Sequence, residues 1–159
     1  MPILNFEAHY TTKRPIVTLY VAIGRDDAAA YREVGRSLPD PLNVRALVDT
    51  GADRSVVALS ILKKLGLNPV GQTDLYTAST GGQPEVRDDY VVDLSFSGDK
   101  PGRLAEDLIV VGSDGLSGLS VEMLLGRDVL GNCLLVYDGP NRRFSLAYDA
   151  PGARAETVE

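Results

Sequence analysis

The chain has 159 residues, 44% of them hydrophobic and 24% charged, with a formal net charge of −6, the proportions of one soluble globular domain long enough to bury a core. The acidic balance argues against nucleic acid as the main partner, because phosphate binding relies on clustered Lys and Arg, and the pairs Lys63-Lys64 and Arg142-Arg143 read as solvated faces. One cysteine, Cys133, and one histidine, His9, rule out an internal disulfide and leave too few soft ligands for zinc.

No metal and no cofactor is expected. No apolar run approaches the about 18 residues that span a membrane, and the opening Met1 to Glu7 has neither a basic start nor an unbroken apolar stretch. The expected address is the cytoplasm.

Nine prolines and sixteen glycines punctuate short β-branched runs, the pattern of an all-β domain with tight turns and one or two short helices. His9 reads as a surface or strand residue near the terminus. Pro15 to Ile23 reads as a strand and Val44 to Val48 as another that ends at Asp49. Between them lies an insertion, 25–43, in which acidic Asp26 and Asp27 precede a helix-favouring stretch to Val34 before Gly35. Ser55 to Ala58 reads as a brief buried strand. Ser60 is the expected N-cap of a helix over Ile61 to Leu65, with Gly66 ending it in a left-handed conformation.

From Pro69 to Phe96 two strands flank Ser79-Thr80-Gly81-Gly82-Gln83-Pro84, a long hairpin with a glycine tip. Asp107 to Val111 reads as a strand, followed by a flexible stretch, Gly112 to Ser120. Then comes Met123 to Leu130, and a closing hairpin of Leu134 to Tyr137 and Phe144 to Tyr148, turned at Asp138 to Asn141. Cys133 reads as a packed small hydrophobe. One domain over 1–148 is expected, with 149–159 a frayed polar tail.

The chemistry centres on Asp49. A carboxylate that activates water toward a peptide carbonyl without metal, cysteine or histidine needs a second carboxyl to share a proton with it. Leu47 and Val48 anchor the strand, Thr50 offers a hydroxyl, and Gly51 lets the backbone turn closely beneath the carboxylate. The bare Asp-Thr-Gly triplet also suits a plain strand-ending turn. By composition such a string arises by chance in on the order of a few per cent of chains this long, so its flanks decide.

Those flanks, Ala46-Leu47-Val48-Asp49-Thr50-Gly51-Ala52-Asp53, resemble the active-site segment of the retroviral-type aspartic proteases, the retropepsins. Leu124-Leu125-Gly126-Arg127-Asp128-Val129-Leu130 is similar to the family's late hydrophobic-hydrophobic-Gly signature, which precedes a short C-terminal helix. The resemblance implies a closed-barrel-like β domain with the 124–126 strand beneath the catalytic loop and the glycine-tipped hairpin as a flap. It also implies that Asp49 is the catalytic carboxylate, that Thr50 bonds to the partner's loop, and that Gly51 permits the close approach of the two loops. Substrate contacts fall to Leu47, Ala52, Asp53, Ser79, Thr80, Gly81, Gly82 and Leu124, with Leu116 or Leu119 as further wall. Asp53 and Arg127 form an ion pair on this reading.

Only one Asp-Thr-Gly occurs in the chain, so a dyad requires a homodimer acting on an extended polypeptide. The sequence departs from the viral pattern in the insertion, in a tip without isoleucines and in Asp128, where viral members often carry asparagine. Its C-terminal hairpin looks more like that of cellular and bacterial members. The competing reading is a catalytically silent module of the same fold that dimerises or binds peptide.

Overall fold

The structure, a computed structural model, describes residues 3–9, 14–77, 80–96 and 103–149. Among these residues ten strands and three α-helices follow in order: β1 (Ile3–His9), β2 (Ile16–Ile23), α1 (Arg25–Glu33), β3 (Leu42–Val48), β4 (Val56–Ala58), α2 (Leu59–Lys64), β5 (Gly71–Leu75), β6 (Glu85–Phe96), β7 (Arg103–Ser113), β8 (Met123–Leu125), α3 (Arg127–Leu130), β9 (Cys133–Asp138) and β10 (Arg143–Asp149).

Side-chain alternation dictates the larger sheet. Val17, Leu19, Val21 and Ile23 of β2 are buried, as are Val44, Ala46 and Val48 of β3 and Tyr90, Val92, Leu94 and Phe96 of β6. A period of two puts each set on one face of its strand, where only a common interior can cover it. The strands are arranged β2-β3-β8-β4-β7-β6-β5, and β6 also pairs with β2, so six strands close a barrel and β5 hangs outside on β6. Closure leaves no open edge within those six strands. The expected all-β, closed-barrel fold with few short helices is what the chain adopts.

A second sheet, β1-β10-β9, covers one side of the barrel. Its Phe144, Leu146 and Tyr148 share one core cluster with Leu19, Leu94 and Leu125, and the Tyr148 ring packs against Phe96 at 5.1 Å between centroids. β1 is an addition to the sequence reading. It pairs antiparallel with β10 from Ile3↔Asp149 to His9↔Arg143, so the strand takes in Asp149, assigned above to a frayed tail; 150–159 lie outside the described residues.

The helix of the insertion is α1, starting at Arg25. Its first turn has no side-chain cap of its own, and the carboxylate of Asp107 reaches over from β7 to accept the Arg25 N–H at 2.8 Å. Asp107 has φ 46°, and its own N–H donates to Asp93 Oδ1 at 2.8 Å. It occupies an irregular stretch where the β6–β7 register shifts.

Two other expectations are corrected. Ser60 is not an N-cap: α2 begins at Leu59 directly from β4, its N-cap is Ala58, and Ser60 lies inside the first turn. The helix starts early because Ala58 is held in β4 by its N–H bond to the Glu122 carbonyl at 2.8 Å, so the chain turns immediately after it. Gly66, at φ 71°, does end the helix in the left-handed region. The stretch expected to be flexible from Gly112 is instead strand through Ser113. A Cβ on Gly112 would sit 2.7 Å from the Tyr90 ring and 2.8 Å from Leu59, so a larger residue there has to push the buried ring or the leucine methyl aside. A 3-10 turn, Ser117–Leu119, follows.

Candidate active site

The barrel's parallel pairing assembles the site. β3 runs parallel to β8 with Val48 opposite Leu125, so the loops leaving both strands emerge at the same end. Asp49 is the first residue past β3, and its N–H donates to the Leu125 carbonyl at 3.0 Å, one pairing beyond the strand. Its side chain is half-buried, and Oδ1 accepts the Gly51 N–H at 2.9 Å. A Cβ on Gly51 would crowd that same oxygen at 3.2 Å. The Ala52 N–H returns to the Asp49 carbonyl at 3.3 Å, closing a tight turn.

The second motif braces this turn from below. The Arg127 N–H donates to the Ala52 carbonyl at 2.8 Å, and Nη1 donates to the Thr50 carbonyl at 2.9 Å. Arg127 Nη2 bonds Asp53 Oδ1. Both side chains are more than half exposed, so the pair contributes little to stability and chiefly fixes geometry. Gly126 lies so close to the loop that a Cβ would stand 2.7 Å from the Arg54 carbonyl carbon and 3.0 Å from the Ala52 oxygen. These are backbone atoms with nowhere to go.

A third connection was not foreseen in the sequence. Ser55, 0% exposed, donates its hydroxyl to Asp128 Oδ1 at 2.7 Å and its N–H to Asp128 Oδ2 at 2.8 Å, and accepts the Gly126 N–H at 3.0 Å. Asp128 Oδ1 also accepts the Val129 N–H at 2.9 Å. The buried hydroxyl is fully used, as burial demands. The sequence signal was the unusual Asp128 itself, an acid in the first turn of a short helix.

Other candidate residues take these positions. Leu47 and Leu124 are partners across β3 and β8 and are half-buried, whereas their neighbours Ala46, Val48, Met123 and Leu125 are buried. Leu124 packs against a small cluster of Val56, Val111 and Leu116, while Leu119 is 41% exposed. Thr50, Gly51 and Asp53 are exposed at the loop surface. The hairpin tip has Thr80 bonded to the Thr77 carbonyl at 2.8 Å and Gly81 and Gly82 at φ 59° and 85°, and it ends a ribbon in which 85–88 pair with β5. Ser79 lies outside the described residues. No group of three or more potential metal ligands occurs among the described residues, and no helix among them is long and apolar enough to cross a membrane.

A family model described as aspartyl protease matches residues 39–129, more than half of the chain and both loops of the site. The chain belongs to the aspartyl protease family. Among solved structures, this aspartyl protease family member is similar to a retropepsin-like aspartic protease from Rickettsia conorii at 14% identity and a TM-score of 0.54, over 93% of this chain and 94% of that one. At that identity the likeness carries the fold: a retropepsin-like barrel. No curated protein matches the chain.

Proposed function

We propose that the protein is an aspartic endopeptidase whose active unit is a homodimer, each subunit donating one Asp49. One observation carries the reading: a half-buried carboxylate sits at the mouth of the barrel, fixed by the Gly51 N–H of its own loop, in a chain with a single Asp-Thr-Gly. Two such carboxyls brought together share one proton, since two negative charges at close range repel. The ionised carboxyl takes a proton from water as the water oxygen attacks the scissile carbonyl, and the protonated one gives its proton to the carbonyl oxygen. The diol then collapses: the carboxyl that took the water proton gives it to the amide nitrogen, the other carboxylate takes a proton back from one diol hydroxyl, and the C–N bond breaks to leave a carboxylic acid and an amine.

Gly51, lacking a side chain, suits the approach of the two loops, and Thr50, exposed beside it, faces the partner on this reading. On this reading the substrate is extended polypeptide, lying as an added strand between the Asp49 loop and the Thr80-Gly81-Gly82 tip. The half-buried Leu47 and Leu124 favour apolar side chains beside the scissile bond, while Ala52 and Asp53 offer backbone and carboxylate groups to the peptide. A second copy is also suited to β9, which among the described residues is an edge strand; it carries Leu134 at 65% and Val136 at 51% exposure and has no lysine or proline to blunt pairing. The single cysteine fits a reducing compartment, and we place the enzyme in the cytoplasm.

The test is incubation of the purified protein with an unfolded protein substrate at acidic and neutral pH, beside Asp49→Asn. Cleavage by the wild type and none by the variant is expected. If neither cleaves at any pH, the chain is a binding module and the proposal fails. Val136→Lys, read by sedimentation, is expected to weaken self-association and activity together; an active monomer would refute the shared dyad.

A further inference from the structure

The glycine-tipped hairpin leaves the barrel at one residue. In β6 the first pairing with the barrel is Asp89 with Val111, and residues 85–88 pair with β5 alone. Beyond Asp89 the hairpin is therefore a two-stranded ribbon. Such ribbons are marginal by themselves, so what grips the root decides where the ribbon points.

Further along the ribbon Arg87 Nη1 donates to Asp114 Oδ1, just past β7, at 3.1 Å; the grip at the root itself comes from the loop that carries Asp49. Arg54 Nη1 donates to Thr73 Oγ1 on β5, while Nη2 lies 3.3 Å from Asp89 Oδ1 on β6 and donates to the Ile109 carbonyl on β7 at 3.2 Å. The Thr73 hydroxyl, accepting from Arg54, donates in turn to Asp89 Oδ2 at 2.7 Å. Asp89 is 8% exposed and is the one buried charged residue among the described residues. A buried carboxylate is costly unless charge-paired and hydrogen-bonded, and here both requirements are met by residues joining three strands. The planar guanidinium holds several acceptors at fixed angles, which a lysine ammonium on a flexible stem does less well. On its other side Arg54 is peptide-bonded to Ser55, which is locked to Asp128 and Gly126. The ribbon root is thus bolted to the frame that holds the catalytic loop.

We infer that Arg54 is a positioning residue that sets the angle of the ribbon relative to the Asp49 loop and, through it, the affinity for extended peptide. This rests on the proteolytic reading for its effect on substrate, but not for its effect on the ribbon. The bonds of Arg54 run to the ribbon root and to β7, with none to the Asp49 carboxylate, so its loss weakens binding and leaves the bond-breaking step alone.

Two readouts test this on Arg54→Met, which keeps length and removes the fork. Amide exchange in 71–75 and 85–88 is expected to quicken about tenfold or more while β2 and β3 hold their protection, a local opening. With a peptide substrate, KM is expected to rise about tenfold with kcat within about twofold, and Arg54→Lys to recover part of the loss. Thr73→Val, which changes no charge, is expected to move both readouts the same way in a protein less disturbed overall.

Unchanged ribbon exchange in both Arg54→Met and Thr73→Val overturns the inference. So does exchange that quickens equally in ribbon and barrel, which makes Arg54 a general stabiliser, and so does a fall in kcat at constant KM. If the wild type cleaves nothing, the exchange measurement alone decides: a loosened ribbon upholds the clamp while the proteolytic reading falls.

Discussion

Replacing Ser55 with alanine tests whether the buried Ser55–Asp128–Gly126 connection holds the candidate catalytic loop. The substitution removes one oxygen from a site with 0% exposure. Two bonds go with it: the 2.7 Å donation to Asp128 Oδ1 and the 3.0 Å acceptance from the Gly126 N–H. Asp128 keeps the N–H groups of Ser55 and Val129, so its loss is partial. The Gly126 amide keeps no acceptor in a buried position, and an orphaned buried donor costs about 1–3 kcal/mol. Adding about 1 kcal/mol for the bond to the carboxylate gives roughly 2–4 kcal/mol. For a chain of this size each kcal/mol moves Tm by about 2–4 °C, so a fall of roughly 5–15 °C is expected. Differential scanning calorimetry of Ser55→Ala beside Ser117→Ala, an exposed serine in the 3-10 turn, measures it. A shift of less than about 2 °C, equal to that of the control, would show that water or a small backbone movement replaces the hydroxyl and that Ser55 does not anchor the loop.

Gly126→Ala drives a methyl to within 2.7 Å of the Arg54 backbone; by analogy with overpacked cores it should cost about 1–3 kcal/mol or more, seen as a lower urea midpoint. The Tyr148 phenol is pushed up to about 12, first by burial and then by the neighbouring Cys133. A raised value means that its stabilising contribution is whole below the ordinary tyrosine range near 10 and is lost as pH rises through about 12, so Tyr148→Phe should flatten the alkaline limb of a Tm-against-pH curve. The Asp107 carboxyl is held below its usual 3.8, first by the Arg25 N–H and then by the Arg25 guanidinium. A depressed value contributes stability above the ordinary carboxylate range that is lost as pH falls through the folded value. Asp107→Asn should therefore melt below the wild type at neutral pH and together with it near pH 2; a constant gap at both would mean that charge is not what Asp107 supplies.

What was legible in the sequence is what is local. Asp49 and the 124–126 segment each sit in a short string whose composition and order carry meaning alone, and the buried alternation of β2, β3 and β6 is written in consecutive residues. The glycine that ends α2 was legible for the same reason: Gly66 supplies a left-handed residue directly after a helical run. What escaped depends on pairings across the barrel. Arg54 reaches Asp89 and Thr73, and no periodicity links a loop arginine to a threonine one strand away. The cap of α1 is similar, since Asp107 serves it from 82 positions downstream. β1 escaped because a strand whose only partner among the described residues is β10 shows no hairpin signal beside it. Ser60 misled because a serine before an apolar run suits a helix start, whereas the strand β4 had already fixed where the chain turns.

Several bonds that shape the Asp49 loop join residues of one chain: the Gly51 N–H to the carboxylate, Arg127 to the Thr50 and Ala52 carbonyls, and Ser55 to Asp128. On the proposed dimer reading, these bonds need no second copy, and pairing adds to a loop they already hold. Preorganised groups contribute more to a charged transition state than groups that must move into place. The same arrangement separates two kinds of damage. A substitution at Ser55 or Gly126 strikes the loop in each subunit whatever the protein concentration. One on the β9 edge leaves the loop intact and acts through association alone, so its defect fades as concentration rises. Activity measured against concentration in the two sets of variants thus distinguishes a malformed half-site from a missing partner.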